Sequence, residues 1–242
     1  MNEQDLLDLI KQRHSSRGPF DPDHAIDPDA LHLILAAATW APTAHNMQNF
    51  KIIVVRDKTV LAQLGDLESQ TSPTFVQENY RQLSFSEEEL TAKKTGLLAS
   101  QFPPAWLTDE AQQGQLQLPP SPLGSQVSDG PVLLMIVTDP RRRAPDSPGD
   151  FLGHISLGCM IENMWLMATA LGIDFHIIST LGNQPLADDV KQVLDVPPEL
   201  DIVFGCRLGY ATGRPANSPR VRRELVDFVS PDKFGAPPLR NR

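Results

Sequence analysis

The 242-residue chain holds only two cysteines, Cys159 and Cys206. Each lies in an apolar segment and no metal-ligand spacing joins them, so reduced, buried thiols are the expectation rather than a disulfide framework. The six histidines form no His-x-x-x-His pair, which argues against a zinc site. The chain contains no Gly-x-Gly-x-x-Gly, no Gly-x-x-x-x-Gly-Lys-[Ser/Thr] and no Gly-x-Ser-x-Gly, so Rossmann and P-loop cradles and a hydrolase nucleophile elbow have no sequence support. Basic residues are the minority, 21 Lys and Arg against 30 Asp and Glu. A formal charge of −9 argues against a general nucleic-acid or anionic-membrane binder. The first residues, Met1-Asn2-Glu3-Gln4-Asp5, are polar and acidic, unlike a secretory signal. The longest apolar stretch, residues 155–173, is interrupted by Glu162 and Asn163 and reads as a buried helix rather than a membrane span. A cytoplasmic protein is expected.

What the chain does have is enough apolar residue, 40%, for a real core in one large domain or one domain with an insert. The apolar spacing predicts a helix over Asp5–Gln12 with Asn2 as cap, and a second after Asp27-Pro28-Asp29, a capping acid followed by proline at the first helical position. Strands are predicted at Phe50–Val55, Val132–Val137, Ile173–Ser179 and Ile202–Leu208. A long helix apolar on most sides is expected over Gly153–Leu171, and a short one over Leu186–Leu194. The region 66–130 is rich in Pro and Gln and weakly periodic, with one helical patch from Ser86 to Ser100. It is expected to be an inserted lid that selects the substrate, or else a surface excursion whose aromatics only pack on the core. The order of elements predicts an α+β fold.

Two polar clusters flank the second helix. Arg13-His14-Ser15-Ser16-Arg17 supplies two guanidiniums, an imidazole and hydroxyls, a set suited to phosphate. Pro42-Thr43-Ala44-His45-Asn46-Met47-Gln48 supplies two amides that can bond the polar edge of a flat heterocycle. Each alone has a plain alternative: a basic helix end that complements the macrodipole, and a capping turn. The segment from Arg207 to Arg242 carries eight Lys and Arg against three Asp and Glu, which fits a phosphate, an acidic partner or a solvated tail.

Taken together, the two clusters resemble the signatures of the nitroreductase family, Arg-[Arg/His]-Ser-x-[Arg/Lys] and Pro-[Ser/Thr]-x-x-Asn-x-Gln. The likeness extends to the strand after Pro131, the helix ending at Leu171-Gly172, Leu208-Gly209-Tyr210, and Ser218-Pro219-Arg220-Val221-Arg222-Arg223. The resemblance implies one domain over 1–242 with a three-layer α/β/α sandwich and a mixed, mainly antiparallel central sheet. It implies a homodimer whose 210–242 tail packs on the partner subunit. It also implies bound FMN, framed by Arg13, His14, Ser15, Arg17, Pro42, Thr43, Ala44, Asn46, Gln48, Ile178, Ser179, Arg220 and Arg222. Electrons would pass from NAD(P)H to a small acceptor, with no nucleophilic side chain. The alternatives are other flavin chemistry on the same fold, or a flavin-binding protein that is not an enzyme. The chain departs from the pattern at Asn49-Phe50, where the family has proline and an aromatic, and at Ser179-Thr180, where some relatives have Glu-Gly.

Overall fold

A computed structural model describes residues 2–213 and 220–236. Helix α1 (Glu3–Gln12) opens on a reciprocal cap: the Asn2 side chain accepts from the Asp5 N–H, and the Asp5 carboxylate accepts from the Asn2 N–H. Helix α2 (Pro28–Thr39) starts on the Asp27 carboxylate with proline at its first position. Strand β1 (Phe50–Val55) is followed by α3 (Lys58–Asp66), capped by Asp57. Short elements come next: β2 (Glu68–Ser69), α4 (Pro73–Leu83), β3 (Ser84–Phe85), α5 (Glu87–Lys93), β4 (Leu97–Leu98), α6 (Asp109–Gln112), β5 (Ser121–Pro122) and α7 (Ser125–Ser128). The chain then runs through β6 (Val132–Thr138), α8 (Phe151–Ala170), β7 (Asp174–Ile178), α9 (Leu186–Val193) and β8 (Asp201–Gly209).

The structure divides into two compact units. The first holds residues 2–69 and 121–213. Its sheet has the order β1-β6-β8-β7, and all three pairings are antiparallel. Strand β6 is apolar on both faces, and alternation sends its side chains two ways. Val132, Leu134 and Ile136 meet α2 and α8 through Ile34, Met160 and Met164. Leu133, Met135 and Val137 meet α3 and α9 through Leu61, Leu64 and Val190. Two helical layers therefore enclose one sheet, as the fold expectation has it. Each fully buried Leu, Ile or Met here contributes about 1.5–3 kcal/mol of apolar transfer. Cys206 lies in this core and burial pushes its thiol pKa up, whereas Cys159 is only half-buried on α8; both are free.

The second unit holds residues 70–120 and 220–236. Val76, Leu90 and Ala111 are its buried apolar residues. The sequence predicts a helix over Ser86–Ser100, but α5 ends at Lys93. Lys94 turns left-handed and Gly96 follows at φ +88°, where a Cβ would stand 2.5 Å from the Phe85 ring. The parallel pairing β3–β4 lies in this unit. Its aromatics pack on one another: Trp106 meets Phe75 edge-on at 5.8 Å and Phe102 stacked at 5.9 Å. Ser218 and Pro219 of the late basic motif, and parts of the expected 210–242 tail, lie outside the described residues.

Candidate functional site

The Arg13–Arg17 segment leaves α1 and lies along β7, the edge of the main sheet. The Ser16 N–H donates to the Phe175 carbonyl at 3.1 Å, and the buried Ser16 hydroxyl donates to the Asp174 carboxylate. The second Asp174 oxygen accepts from the Ala211 N–H at 2.9 Å. From the other side, Trp165 of α8 donates its indole N–H to the His14 carbonyl at 3.1 Å. The Arg13 guanidinium lies over the Trp165 ring, 4.6 Å from its centroid, and its Nε stands 3.3 Å from the Glu162 carboxylate. The one acid in the apolar face of α8 is thus the partner of the first arginine of the cluster. Arg13 and Ser15 are half-buried, while His14 and Arg17 are exposed.

Beneath this segment lies a charged group in the core. Arg207 of β8 is 2% exposed. Its guanidinium bonds the Asp129 carboxylate, the Ser125 carbonyl at 2.7 Å and the Gly18 carbonyl at 2.9 Å, and it covers the Phe20 ring at 4.1 Å. The other Asp129 oxygen accepts from the Phe20 N–H at 3.0 Å. Arg207 therefore ties the loop that begins at Arg17 to the sheet. Gly130 makes room for it, because a Cβ there would stand 2.5 Å from the Arg207 Cγ. His176 is the cross-strand neighbour of Arg207, and its Nδ1 is buried without a hydrogen-bond partner. Burial, then the charges of Arg207 and Arg17, bring the His176 pKa down to about 4, so the ring is neutral at pH 7.

The second cluster is a tight turn held in an uncommon backbone state. His45, Asn46 and Gln48 have φ of 51°, 52° and 44°. Three non-glycine residues in the left-handed region within four positions store strain, and such strain gathers at binding sites. The turn is cross-braced: the Gln48 N–H donates to Thr43 Oγ1 at 3.3 Å, and the Gln48 amide donates to Asn46 Oδ1 at 2.8 Å. The Ala44 N–H donates to Ser156 Oγ of α8 at 3.1 Å. Pro42, Asn46 and Gln48 are exposed, and Thr43 and Ala44 half-buried.

Both clusters of one chain are therefore anchored on α8, but at different points. Ser156 and Trp165 stand nine residues apart, about 14 Å along a helix. Of the other expected site residues, Ser179 is exposed at the end of β7, while Ile178 turns its side chain into the core. Arg220 and Arg222 are exposed in the second unit.

The profile of the nitroreductase family matches residues 10–210. The chain belongs to the nitroreductase family. Among proteins of this kind, Protein DrgA of Synechocystis sp. is 25% identical over 216 residues, which are 89% of this chain and 90% of the relative. A nitroreductase with bound FMN from Bacteroides fragilis shares the fold with a TM-score of 0.58 at 21% identity, over 95% of this chain and 100% of that one. An FMN-dependent nitroreductase from Clostridium difficile does so with a TM-score of 0.57 at 15% identity, over 94% and 99%. The family fold thus persists at low identity in the antiparallel sheet and its two helical layers.

Sequence reasoning missed Arg207, Asp129, His176 and Ser156. The signal for the first was present: a lone arginine in the apolar run Ile202–Leu208 is costly to bury unless paired. Its partner, 78 positions away, left no local trace.

Proposed function

We propose that the chain is an FMN-dependent oxidoreductase acting as a homodimer. The reading is carried by the placement of the two clusters: one presents guanidiniums and hydroxyls, the other strained amides, and both stand on one helix in a chain of this family. Bound FMN would supply the redox chemistry, taking hydride from NAD(P)H and passing it to a small acceptor such as a nitroaromatic or quinone in ping-pong order.

The donor set fits that group. Arg13 and Arg17 would hold the phosphate and ribityl chain, with His14 and Ser15 beside them. Arg13 approaches with its orientation already set by the Trp165 ring and the Glu162 carboxylate. Pro42, Thr43, Ala44, Asn46 and Gln48 would frame the ring. The Asn46 and Gln48 amides are exposed and bonded to each other, so a ring edge would meet an amide pair whose backbone is already fixed in the αL region. The backbone at Ile178 and Ser179 would close the other side. The roughly 14 Å between the anchors of the two clusters favours a site made of one cluster from each subunit. Apolar side chains left exposed in the first unit support such an assembly: Trp40 is 86% exposed, Phe151 64%, and Ile155 lies one turn further along α8.

Reconstitution with FMN and titration with NADPH or NADH test the reading. About one FMN per chain should bind, its absorbance should bleach with one of the nicotinamides, and a quinone or nitro compound should restore it. A protein that retains no FMN overturns the assignment, and one that holds FMN without reduction is a flavin-binding protein.

A further inference from the structure

A second feature of the first unit stands apart from the clusters above. A cleft of about 250 Å³ opens where the loop after Phe20, the end of β1 and the start of α3 meet. Its floor is apolar, formed by Ile26, Leu61 and Val132, all of them buried core residues. Its rim is cationic, formed by Arg56 and Lys58. Asp57 between them is not a lining residue; its carboxylate caps its own helix and accepts from the Thr59 and Val60 N–H groups at 2.8 and 3.1 Å. Arg56 is exposed and enters no ion pair among the described residues. Lys58 is met by the chain's own Asp23, another lining residue, at 2.8 Å. The Lys58 hydrogen bond and charge hold the Asp23 carboxyl below the usual carboxylate range. A carboxylate thus already stands at one of the two cations above the apolar floor.

We propose that this cleft binds a small apolar carboxylate, its charge held by Arg56 and Lys58 and its body laid on Ile26, Leu61 and Val132. The volume lies just below that of drug-sized pockets, which limits the ligand to a single ring or a short branched chain. Among the lining residues themselves, Arg56 is the cation that no carboxylate in the lining meets, so an anionic ligand has a charge partner here above the apolar floor. In this arrangement Asp23 competes with the ligand for Lys58. The site does not depend on the flavin reading, since the binding needs no cofactor.

Calorimetric titration of the full-length protein with benzoate at low ionic strength tests this. Saturable binding is expected, weakened by added salt. Benzamide, which has the same ring without the charge, and inorganic phosphate, which has charge without the ring, should not bind in the cleft. Arg56→Gln should weaken benzoate by about fivefold, the upper range for an exposed ion pair. Asp23→Asn should tighten it by a similar factor by freeing Lys58, and Ala62→Phe, which fills the cleft from its exposed rim, should abolish it. FMN content measured on the same variants should not change, which separates this site from the flavin reading. Absence of benzoate binding to both wild type and Asp23→Asn overturns the proposal. So does binding that is indifferent to Arg56→Gln or that survives Ala62→Phe, or benzamide or phosphate binding as well as benzoate.

Discussion

Arg13 is the side chain on which the cofactor reading presses hardest. It already contacts Glu162 and Trp165, so an incoming phosphate would share a guanidinium that is oriented but not idle. A hydrogen bond to a charged group is worth about 1.5–3 kcal/mol, or roughly ten- to a hundredfold in affinity. Arg13→Ala is therefore expected to weaken FMN by that factor. Arg142→Ala, at an exposed side chain in the turn after β6 and outside both clusters, is expected to leave FMN affinity unchanged. Fluorescence titration of both variants decides it, and equal affinities remove Arg13 from the site. His176 yields a prediction of a different kind. Its folded pKa of about 4 lies below the unfolded value near 6.5, so the unfolded chain takes up the proton first. Stability should be fully present above about pH 6.5, fall as the pH drops toward 4, and lose no more from this residue below that. The loss is of the order of 2–3 kcal/mol. Urea unfolding at a series of pH values should show this slope in the wild type, and His176→Gln should flatten it. An unchanged slope in the variant assigns the acid sensitivity elsewhere.

At the scale of the element, α8 does the organising. Its inner face builds the core with Met160 and Met164, and its flank carries Ser156 for one cluster and Trp165 for the other. Ser156→Ala removes the acceptor of the Ala44 N–H and should cost about 1 kcal/mol. Hydrogen exchange at Ala44 should speed up, whereas Thr169→Ala, which loses only a bond back to its own helix, should not touch that amide. If both variants leave Ala44 equally protected, the turn does not depend on α8. This helix was legible in advance because twenty residues of apolar character declare themselves, as were α2 from Asp27-Pro28 and β1 from a compact apolar run. Helix α3 was overlooked although Asp57 caps it and Leu61 and Leu64 mark its inner face. Helix α4 was overlooked although Ser72-Pro73 signals its start. Helix α4 lies where proline and glutamine blur the period, whereas α3 is only nine residues long, with a short apolar stripe. Of the candidate site, the residue types and their chain positions could be read. The left-handed turn at His45, Asn46 and Gln48 could not, because none of these residues is glycine and the conformation is imposed by cross-bracing through Thr43 and Ser156. The Arg207–Asp129 pair is set by packing between distant segments, which local pattern does not report.

For the whole molecule the open question is how many chains make one site. The α8 residues that anchor the two clusters of a single chain stand about 14 Å apart, and Trp40 and Phe151 of that unit lie in solvent. A two-fold pairing would cover those side chains and bring the first cluster of each subunit to the second cluster of the other. No helix among the described residues is long and apolar enough to cross a membrane. Subunit mixing separates a shared site from a private one. In an Arg13→Ala homodimer every shared site lacks its guanidinium, and in an Asn46→Ala homodimer every shared site lacks its amide. When the two are unfolded together and refolded, half of the dimers should be mixed, and each mixed dimer regains one intact site beside one doubly damaged site. About one site in four should then bind FMN with wild-type affinity, although neither parent has any. If each chain instead builds its site from its own two clusters, mixing restores nothing. Sedimentation of the refolded material excludes the trivial outcome, since a folded monomer at micromolar concentration would contradict the shared site on its own.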